Sequence, residues 1–236
     1  MPKRKKSRDQ HPQPAFLFDL DGTLIDSVYQ HILAWREALR ALDIELSNWF
    51  IHRRIGMSDS LMLNACMRES GRRLDKKQME KLQAMHTKAY MRHVGEVQAL
   101  PGAKALLKQL TTLGVPWAIG TTSLRERAQK SLDMLGIGEE VPVITGDDVE
   151  QAKPEPDLFF AAAKKLKMDL EHCVVVGDSV WDLLAAQRAH ALGIGLLAGG
   201  YGEDELVRAG AYRVYRDPED LLEHLDEIGV KVEEEH

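Results

Sequence analysis

Four short apolar runs constrain most strongly what this chain of 236 residues can fold into. They cover residues 15–18, 117–119, 173–176 and 194–197. Short, nearly continuous apolar runs of this kind are typical of strands buried on both faces of a parallel sheet. We therefore predict four central strands at these positions.

The segments between these runs carry apolar residues at helical spacing. Three such sets are Ala103, Leu106, Leu107, Leu110 and Leu113, then Leu124, Ala128, Leu132 and Leu135, then Leu158, Phe159, Ala162, Ala163 and Leu166. Because predicted strands and helices alternate, the chain is expected to form an α/β fold, with a doubly wound, Rossmann-like parallel sheet.

Residues 27–96 break this alternation, because they contain helical patterns and no convincing strand. The first helix is predicted from an apolar stripe at steps of four and three, namely Val28, Ile32, Trp35, Leu39 and Leu42. Asp26 or Ser27 stands where a side chain would cap its first turn. A later stripe consists of Met79, Leu82, Met85 and Ala89. Pro101-Gly102 then marks the return to the α/β pattern.

The chain is therefore predicted to have a discontinuous core and an inserted domain. Residues 15–26 and 97–236 form the α/β core domain, and residues 27–96 form an all-helical cap domain, here called the insert. Residues 1–14 form a basic arm, with five Lys or Arg and no acidic residue among the first eight. Because the arm is short and lacks interleaved aromatic residues, a solvated, disordered segment is favoured over a nucleic-acid-binding one.

The composition limits the cellular compartment in which the protein is expected to act. No stretch approaches the roughly 18 to 20 uninterrupted apolar residues that a membrane span needs, and the start lacks the apolar segment of a secretory signal. A cytoplasmic protein without a membrane partner is expected, as a monomer or a homodimer. The nine histidines show no metal-binding grouping and are interpreted mostly as surface or packing residues.

Two aspartates follow the first predicted strand directly. Asp19 and Asp21 are two residues apart, so in an extended stretch their carboxylates point the same way, towards the edge of the sheet where ligands bind. Thr23 offers a hydroxyl that can orient a neighbouring carboxylate. An isolated Asp-x-Asp of this kind is more often a solvated acidic turn. Other residues of the chain are therefore needed to decide between an active site and such a turn.

Three further polar groups follow predicted strands. Thr121 and Thr122 can hold phosphate oxygens through a hydroxyl and backbone N–H groups, or can cap the next helix. Lys153 precedes a proline, which keeps it extended, although an ordinary turn is an equal alternative. Asp178 follows the most apolar strand, and Asp182 lies one turn later, either orienting a neighbour or exposed on the helix face.

Several carboxylates in one cleft would repel one another and raise one another's pKa unless a cation joined them. Oxygen ligands without nitrogen or sulfur favour Mg²⁺, which keeps some waters and accepts phosphate oxygens. Such an ion and Lys153 would together neutralise charge on a transferred phosphoryl group and leave Asp19 able to attack it.

These residues form a recognisable set, namely Asp19-x-Asp21-Gly-Thr, Thr121, Lys153-Pro and Gly177-Asp178-Ser-x-x-Asp182. In order and spacing the set resembles the haloacid dehalogenase-like hydrolases, in particular their helical-cap branch of phosphoglycolate phosphatases and beta-phosphoglucomutases. The resemblance covers nearly the whole chain past the basic arm. It implies a Rossmann-like core with a helical cap between the first two motifs.

The resemblance also implies roles for the residues. Asp19 would be the nucleophile, and Asp21 would protonate the leaving group, later activate water and bind Mg²⁺ through its main-chain carbonyl. Asp178 would complete the metal site with Asp19. Thr121, with Thr122 beside it, and Lys153 would hold the phosphoryl group.

The same resemblance leaves several reactions to choose from. Asp21 favours a phosphatase over a dehalogenase, which lacks the second aspartate, and the absence of lysine from residues 27–60 argues against the phosphonate-cleaving branch. A sugar phosphomutase of the beta-phosphoglucomutase type is the alternative, although such mutases tend to carry an acidic residue where this chain has Gly177. A former enzyme that only binds phosphorylated ligands or a protein partner is least favoured, because every signature residue is intact.

We expect a magnesium-dependent phosphatase that hydrolyses a small phosphorylated metabolite through an aspartyl-phosphate intermediate. A closing cap leaves little room for a folded phosphoprotein. The cap loop containing Arg54, Gly56 and Met57 is the candidate for substrate selection, because glycine permits close approach and arginine suits an anionic substrate. The alternative is a plain loop with solvated arginines.

Overall fold

A computed structural model of the protein describes residues 13–231, so most of the predicted basic arm lies outside the described residues. The strands are β1 (Ala15–Phe18), β2 (Ile25–Asp26), β3 (Gln98–Ala99), β4 (Trp117–Gly120), β5 (Val143–Ile144), β6 (Cys173–Gly177), β7 (Leu192–Leu196) and β8 (Ala211–Tyr215). The helices are α1 (Val28–Arg40), α2 (Asn48–His52), α3 (Asp59–Ser70), α4 (Lys76–His93), α5 (Ala103–Thr112), α6 (Arg125–Leu135), α7 (Asp157–Leu166), α8 (Val180–Arg188), α9 (Glu203–Arg208) and α10 (Pro218–Glu223).

Six strands form one parallel sheet in the order β5-β4-β1-β6-β7-β8, which confirms the predicted doubly wound, Rossmann-like α/β fold. The sheet is covered on both faces. In β1, Phe16 and Phe18 pack into one apolar cluster, while Ala15 and Leu17 pack into the cluster on the other face. Alternate residues of one strand thus face two helical layers, which explains why the run has no polar position.

The strand order brings three loops together. β1 pairs with β4 on one side and with β6 on the other, so the strand order along the chain reverses its direction at β1. This is the topological switch point at which open α/β sheets bind ligands. The loops that follow these three strands begin at Asp19, Thr121 and Asp178, which are therefore neighbours in space.

Helices α1 to α4 lie between β2 and β3, which pair antiparallel with Ile25 opposite Ala99. The insert thus leaves and rejoins the core through one two-stranded ribbon. It has its own apolar cluster, in which the stripe of α1 packs with residues of α2, α3 and α4, including Trp35, Phe50 and Leu82. Both helices predicted for the insert are present as α1 and α4. The division into two domains stays a prediction.

The predicted cap of α1 is corrected by the structure. Ser27 is the N-cap residue of α1, but its side chain makes no capping hydrogen bond to that helix. Its hydroxyl donates to Asp21 Oδ1 over 2.6 Å, because the turn after β2 brings it beside that carboxylate. No helix within residues 13–231 is both long enough and apolar enough to cross a membrane.

Candidate active site

Asp19 and Lys153 form the buried centre of the site. The backbone N–H of Asp19 donates to Val176 O over 2.9 Å, so Asp19 continues the ladder between β1 and β6 and is held rigidly. Lys153 has no exposed surface, and its Nζ donates to Asp19 Oδ1 and lies 2.7 Å from Asp182 Oδ1. A single ammonium group therefore joins two buried carboxylates, one in the loop after β1 and one in the first turn of α8.

Asp178 and Asp182 are oriented by hydroxyl groups. Thr23 Oγ1 donates to Asp178 Oδ1 over 2.9 Å. Asp182 is fully buried and accepts hydrogen bonds from the Ser179 N–H and Oγ–H over 3.1 and 2.6 Å. Asp182 thus lies beneath the site, not on the exposed face of α8.

Gly22 permits the close approach of the first and fourth motifs. Its φ is +85°, a left-handed conformation that glycine adopts without strain, and a Cβ there would lie only 2.5 Å from Asp178 Oδ2. Any other residue would push Asp178 away from Asp19. The glycine of the Asp19-x-Asp21-Gly-Thr motif is therefore required by packing as well as by the turn.

The Asp21 side chain is directed towards the insert. It accepts hydrogen bonds from Ser27 Oγ–H and Ser123 Oγ–H over 2.6 and 2.7 Å, and His31 Nε2 lies 3.2 Å from Asp21 Oδ1. Burial raises the pKa of Asp21, but His31 and the two hydroxyls outweigh it, so the net pKa is well below its usual range. Asp21 is therefore an ionised carboxylate that His31 and the two hydroxyls hold in one orientation.

The electrostatics of the centre suit a cation. Burial raises the pKa of Asp19 to about 7 against the lowering effect of Lys153, and burial, with the charges of Asp182 and Asp19, raises the pKa of Asp178 well above its usual range. Three buried carboxylates thus share one ammonium group. Oxygens of Asp19, Asp178 and Asp182 lie within 4.8 Å of one another. Because Asp182 is paired with Lys153 and Ser179, Asp19 and Asp178 are the carboxylates that fit a divalent ion preferring oxygen ligands, such as Mg²⁺.

The threonines predicted to bind phosphate lie beside the two aspartates. Thr121 is buried, its N–H donates to Ile144 O over 3.0 Å, and its Oγ1 accepts from the Ser123 N–H over 3.1 Å. Thr121, Thr122 and Ser123 line one pocket with Asp19 and Asp21. The structure thus brings the predicted core residues to one edge of the sheet.

The candidate substrate loop forms the opposite wall of this pocket. Arg54, Gly56 and Met57 line it, and the Ser58 N–H donates to Lys153 O over 3.0 Å, which ties the insert to the core. The Arg54 guanidinium lies 3.4 Å from the centre of the Phe50 ring and donates to Phe50 O over 2.8 Å. Its guanidinium is therefore partly satisfied by Phe50 of the preceding helix α2.

Arg53 has a different environment from Arg54. It forms an ion pair with Glu205 of the core and lies 4.0 Å from the centre of the Tyr201 ring. Neither arginine is simply solvated, so the interpretation of residues 53–58 as a plain loop with solvated arginines is wrong. Arg53 instead connects the insert to the core through its ion pair with Glu205 of α9.

Sequence reasoning missed the histidine at the site. His31 is buried and contacts Asp21, and its Nδ1 lies 3.3 Å from His86 Nε2 of α4. The interpretation of the histidines as surface or packing residues is therefore wrong for His31. A signal was present, because His31 lies between Val28 and Trp35 on the apolar stripe of α1, where an unexplained polar residue points to a buried contact.

Comparison with known proteins agrees with this arrangement. A family model for haloacid dehalogenase-like hydrolases matches residues 14–190. Hexitol phosphatase A of Escherichia coli K12 is 32% identical over 176 residues, which are 74% of this chain and 78% of that protein. The beta-phosphoglucomutase of Bacillus subtilis 168 is 30% identical over 220 residues, 90% of this chain and 94% of the mutase. The crystal structure of a hydrolase from Pseudomonas syringae is 50% identical, with a TM-score of 0.90, and the match covers 92% of this chain and 99% of that one.

The chain belongs to the haloacid dehalogenase-like hydrolases, the family that its motifs predicted. It is a phosphatase of that family, and the presence of Asp21 favoured this reaction over that of a dehalogenase.

Proposed function

We propose that this phosphatase is magnesium-dependent and hydrolyses a small phosphorylated metabolite through an aspartyl-phosphate formed on Asp19. Residues 27–96 would act as a cap domain over a core formed by residues 15–26 and 97–236. The observation that carries the proposal is the buried Lys153 ammonium, which joins Asp19 to Asp182 beside Asp178 at the switch point of the sheet. Phosphoryl transfer needs this combination of a nucleophile and concentrated charge.

In the first step an Asp19 carboxylate oxygen attacks phosphorus while the bond to the leaving oxygen breaks. Binding of the anionic phosphate ester beside Asp21 would raise the pKa of this group, so that Asp21 takes up a proton and donates it to the leaving oxygen. The Thr121 and Thr122 groups and Lys153 bind the phosphoryl oxygens. Bound Mg²⁺, held by Asp19, Asp178 and the Asp21 main-chain carbonyl, would supply further charge neutralisation. Asp182 positions Lys153 and does not itself meet the substrate.

In the second step water attacks the phosphorus of the aspartyl-phosphate and gives a proton to Asp21. Inorganic phosphate leaves and the Asp19 carboxylate is restored. Asp21 is ionised once it has protonated the leaving oxygen, so it is able to accept this proton from the attacking water. The insert, tied to the core through Ser58 and Lys153, would keep bulk water out while the leaving group departs. Arg54, Gly56 and Met57 would face that leaving group.

The phosphomutase alternative is supported by the similarity to a beta-phosphoglucomutase and opposed by Gly177. A Cβ at Gly177 would clash with the side chain of Asp182. The acidic residue expected at this position in such mutases would therefore displace Asp182, and with it Lys153. The phosphatase is the better supported of the two reactions.

The proposal is tested by measuring phosphate release from phosphorylated sugars, phosphoglycolate and nucleotides. We expect release of inorganic phosphate that a chelator abolishes and added Mg²⁺ restores. Formation of an isomerised sugar phosphate without phosphate release would establish the mutase instead. Absence of turnover on every ester with Mg²⁺ present would contradict both reactions.

Asp21→Asn is expected to lower kcat by about 10²- to 10⁴-fold, the usual contribution of a general acid or base. The amide keeps the shape of the side chain but exchanges no proton with the leaving group or with water. Steady-state phosphate release measures the effect, and Asp26→Asn, an exposed aspartate five residues later, is the matched control. An unchanged rate in Asp21→Asn would remove this residue from its role.

A further inference from the structure

A buried arginine outside the four motifs lines the same pocket. Arg127 lies in the first turn of α6 and is 2% exposed. Its Nη1 donates to Thr87 Oγ1 over 3.2 Å and its Nη2 donates to Asp59 Oδ2 over 3.1 Å. Its Nε–H has no partner among residues 13–231. Because an unpaired buried donor is unfavourable, this N–H is an available site for an oxygen of the substrate.

The contacts of Arg127 place it where the insert meets the core. Arg127 belongs to the core, whereas Thr87 lies on α4 and Asp59 begins α3 of the insert. Arg127 and Asp59 both line the pocket that contains Asp19 and Asp21. The phosphoryl group would occupy the end of the pocket at Asp19, so the part of the substrate that remains would lie towards Arg127.

The wall of the pocket formed by Arg127, Asp59 and His86 is polar but has no net charge. The Asp59 carboxylate balances the Arg127 guanidinium in an ion pair of 3.1 Å. Burial, followed by the charges of Arg127 and His31, lowers the pKa of His86 well below its usual range, so His86 is a neutral imidazole. Its Nδ1 also has no partner among the described residues. Trp35 stacks on His86 with ring centres 4.0 Å apart and adds an apolar face.

On the basis of the proposed phosphatase function, we propose that Arg127 and Asp59 are specificity-determining residues that select a neutral, hydroxyl-bearing leaving group, such as a sugar or a sugar alcohol. A hydroxyl oxygen accepts from Arg127 Nε–H, and its proton is donated to Asp59 or to His86. A hydroxyl satisfies both kinds of partner, since it donates and accepts.

An anionic leaving group suits the same wall poorly. A carboxylate such as that of glycolate accepts hydrogen bonds but donates none, and it would lie against the Asp59 carboxylate. The charge of Arg127 is already balanced by Asp59, and the Arg54 guanidinium across the pocket contacts the ring and the carbonyl of Phe50, so little attraction remains to offset this repulsion. Discrimination then comes from a repulsive element as well as from an attractive one.

The test compares kcat/KM for glucitol 6-phosphate, 2-phosphoglycolate and p-nitrophenyl phosphate, with the full chain and Mg²⁺. We expect the wild-type protein to prefer glucitol 6-phosphate over 2-phosphoglycolate by at least about 10-fold, the order expected for one missing hydrogen bond to a buried group. Arg127→Met is expected to lower kcat/KM for glucitol 6-phosphate by about 10-fold or more while changing the aryl phosphate less than about 3-fold. Arg125→Met, an exposed arginine of the same helix, is the matched control and should change neither.

Asp59→Asn is nearly isosteric and provides a second variant if Arg127→Met fails to fold. It removes the repulsive charge, so kcat/KM for 2-phosphoglycolate should rise. The ratio of kcat/KM for glucitol 6-phosphate to that for 2-phosphoglycolate should therefore fall by about 10-fold. The inference is overturned if the wild-type protein prefers phosphoglycolate, if Arg127→Met lowers all three substrates equally, or if Asp59→Asn leaves the ratio unchanged. Because aryl phosphate turnover reports the phosphatase reaction itself, its absence in the wild-type protein would identify a failure of the proposed function.

Discussion

Asp19→Asn is expected to lower kcat by at least about 10⁴-fold, because loss of a covalent nucleophile removes the reaction path and not only part of its stabilisation. The amide has nearly the shape of the carboxylate. The backbone of Asp19 stays in the ladder through its N–H bond to Val176 O, and Lys153 keeps Asp182 as a partner. The fold should therefore survive while turnover is lost.

Two measurements separate this result from simple damage. Acid-quenched wild-type protein should carry phosphate that hydroxylamine releases, as an acyl phosphate does, and Asp19→Asn should carry none. The thermal transition of Asp19→Asn should stay close to that of Asp26→Asn, which alters an exposed aspartate of the same segment. Substantial turnover in Asp19→Asn would refute the aspartyl-phosphate mechanism.

The centre of the fold could be predicted because its strands are fully buried. Phe16, Val175 and their neighbours leave no polar position in the run, so sequence alone identifies β1 and β6. The outer strands were missed for a physical reason. β5 has two residues and therefore no period, and β8 at the sheet edge exposes Tyr212 and Arg213, which weakens its apolar signal. The ribbon of β2 and β3 is likewise too short to give a pattern.

The residues of the site likewise fall into those that the sequence could predict and those that it could not. Asp19, Thr121 and Asp178 each follow a strand directly, and parallel strands end at one edge, so their convergence follows from local sequence. His31 and Arg127 gain their positions only when the insert packs on the core. No local pattern encodes that packing, although His31 is a polar group in an otherwise apolar stripe of α1. Arg127 gives no comparable signal, because the polar Ser131 lies on the same buried face of α6.

The charge at the centre connects fold stability to chemistry. Burial lowers the pKa of Lys153, but the carboxylates of Asp182 and Asp19 raise it above its usual range, so the ammonium form is held throughout the neutral range. Asp178 lies close by without a cationic partner of its own in the described residues. Lys153 is therefore the counter-ion on which the buried acids depend when no metal is bound.

Lys153→Met is expected to destabilise the metal-free protein by about 3–5 kcal/mol, since removing one partner of a buried ion pair leaves its carboxylates uncompensated. Methionine has a similar length and fills the space beside Phe159, so loss of packing contributes little. Phosphate release should also fall steeply with Mg²⁺ present, because the positive charge facing the transferred phosphoryl group is lost.

Urea denaturation in the presence of a chelator measures the stability change, with Lys164→Met as the matched control. Lys164 is exposed near the end of α7, and its replacement should alter the free energy of unfolding by no more than about 0.5 kcal/mol. If Lys153→Met were as stable as Lys164→Met, the acids around Lys153 would not depend on its charge. Full activity in Lys153→Met would likewise show that phosphoryl transfer proceeds without this ammonium group, and the proposed site would then lack its central cation.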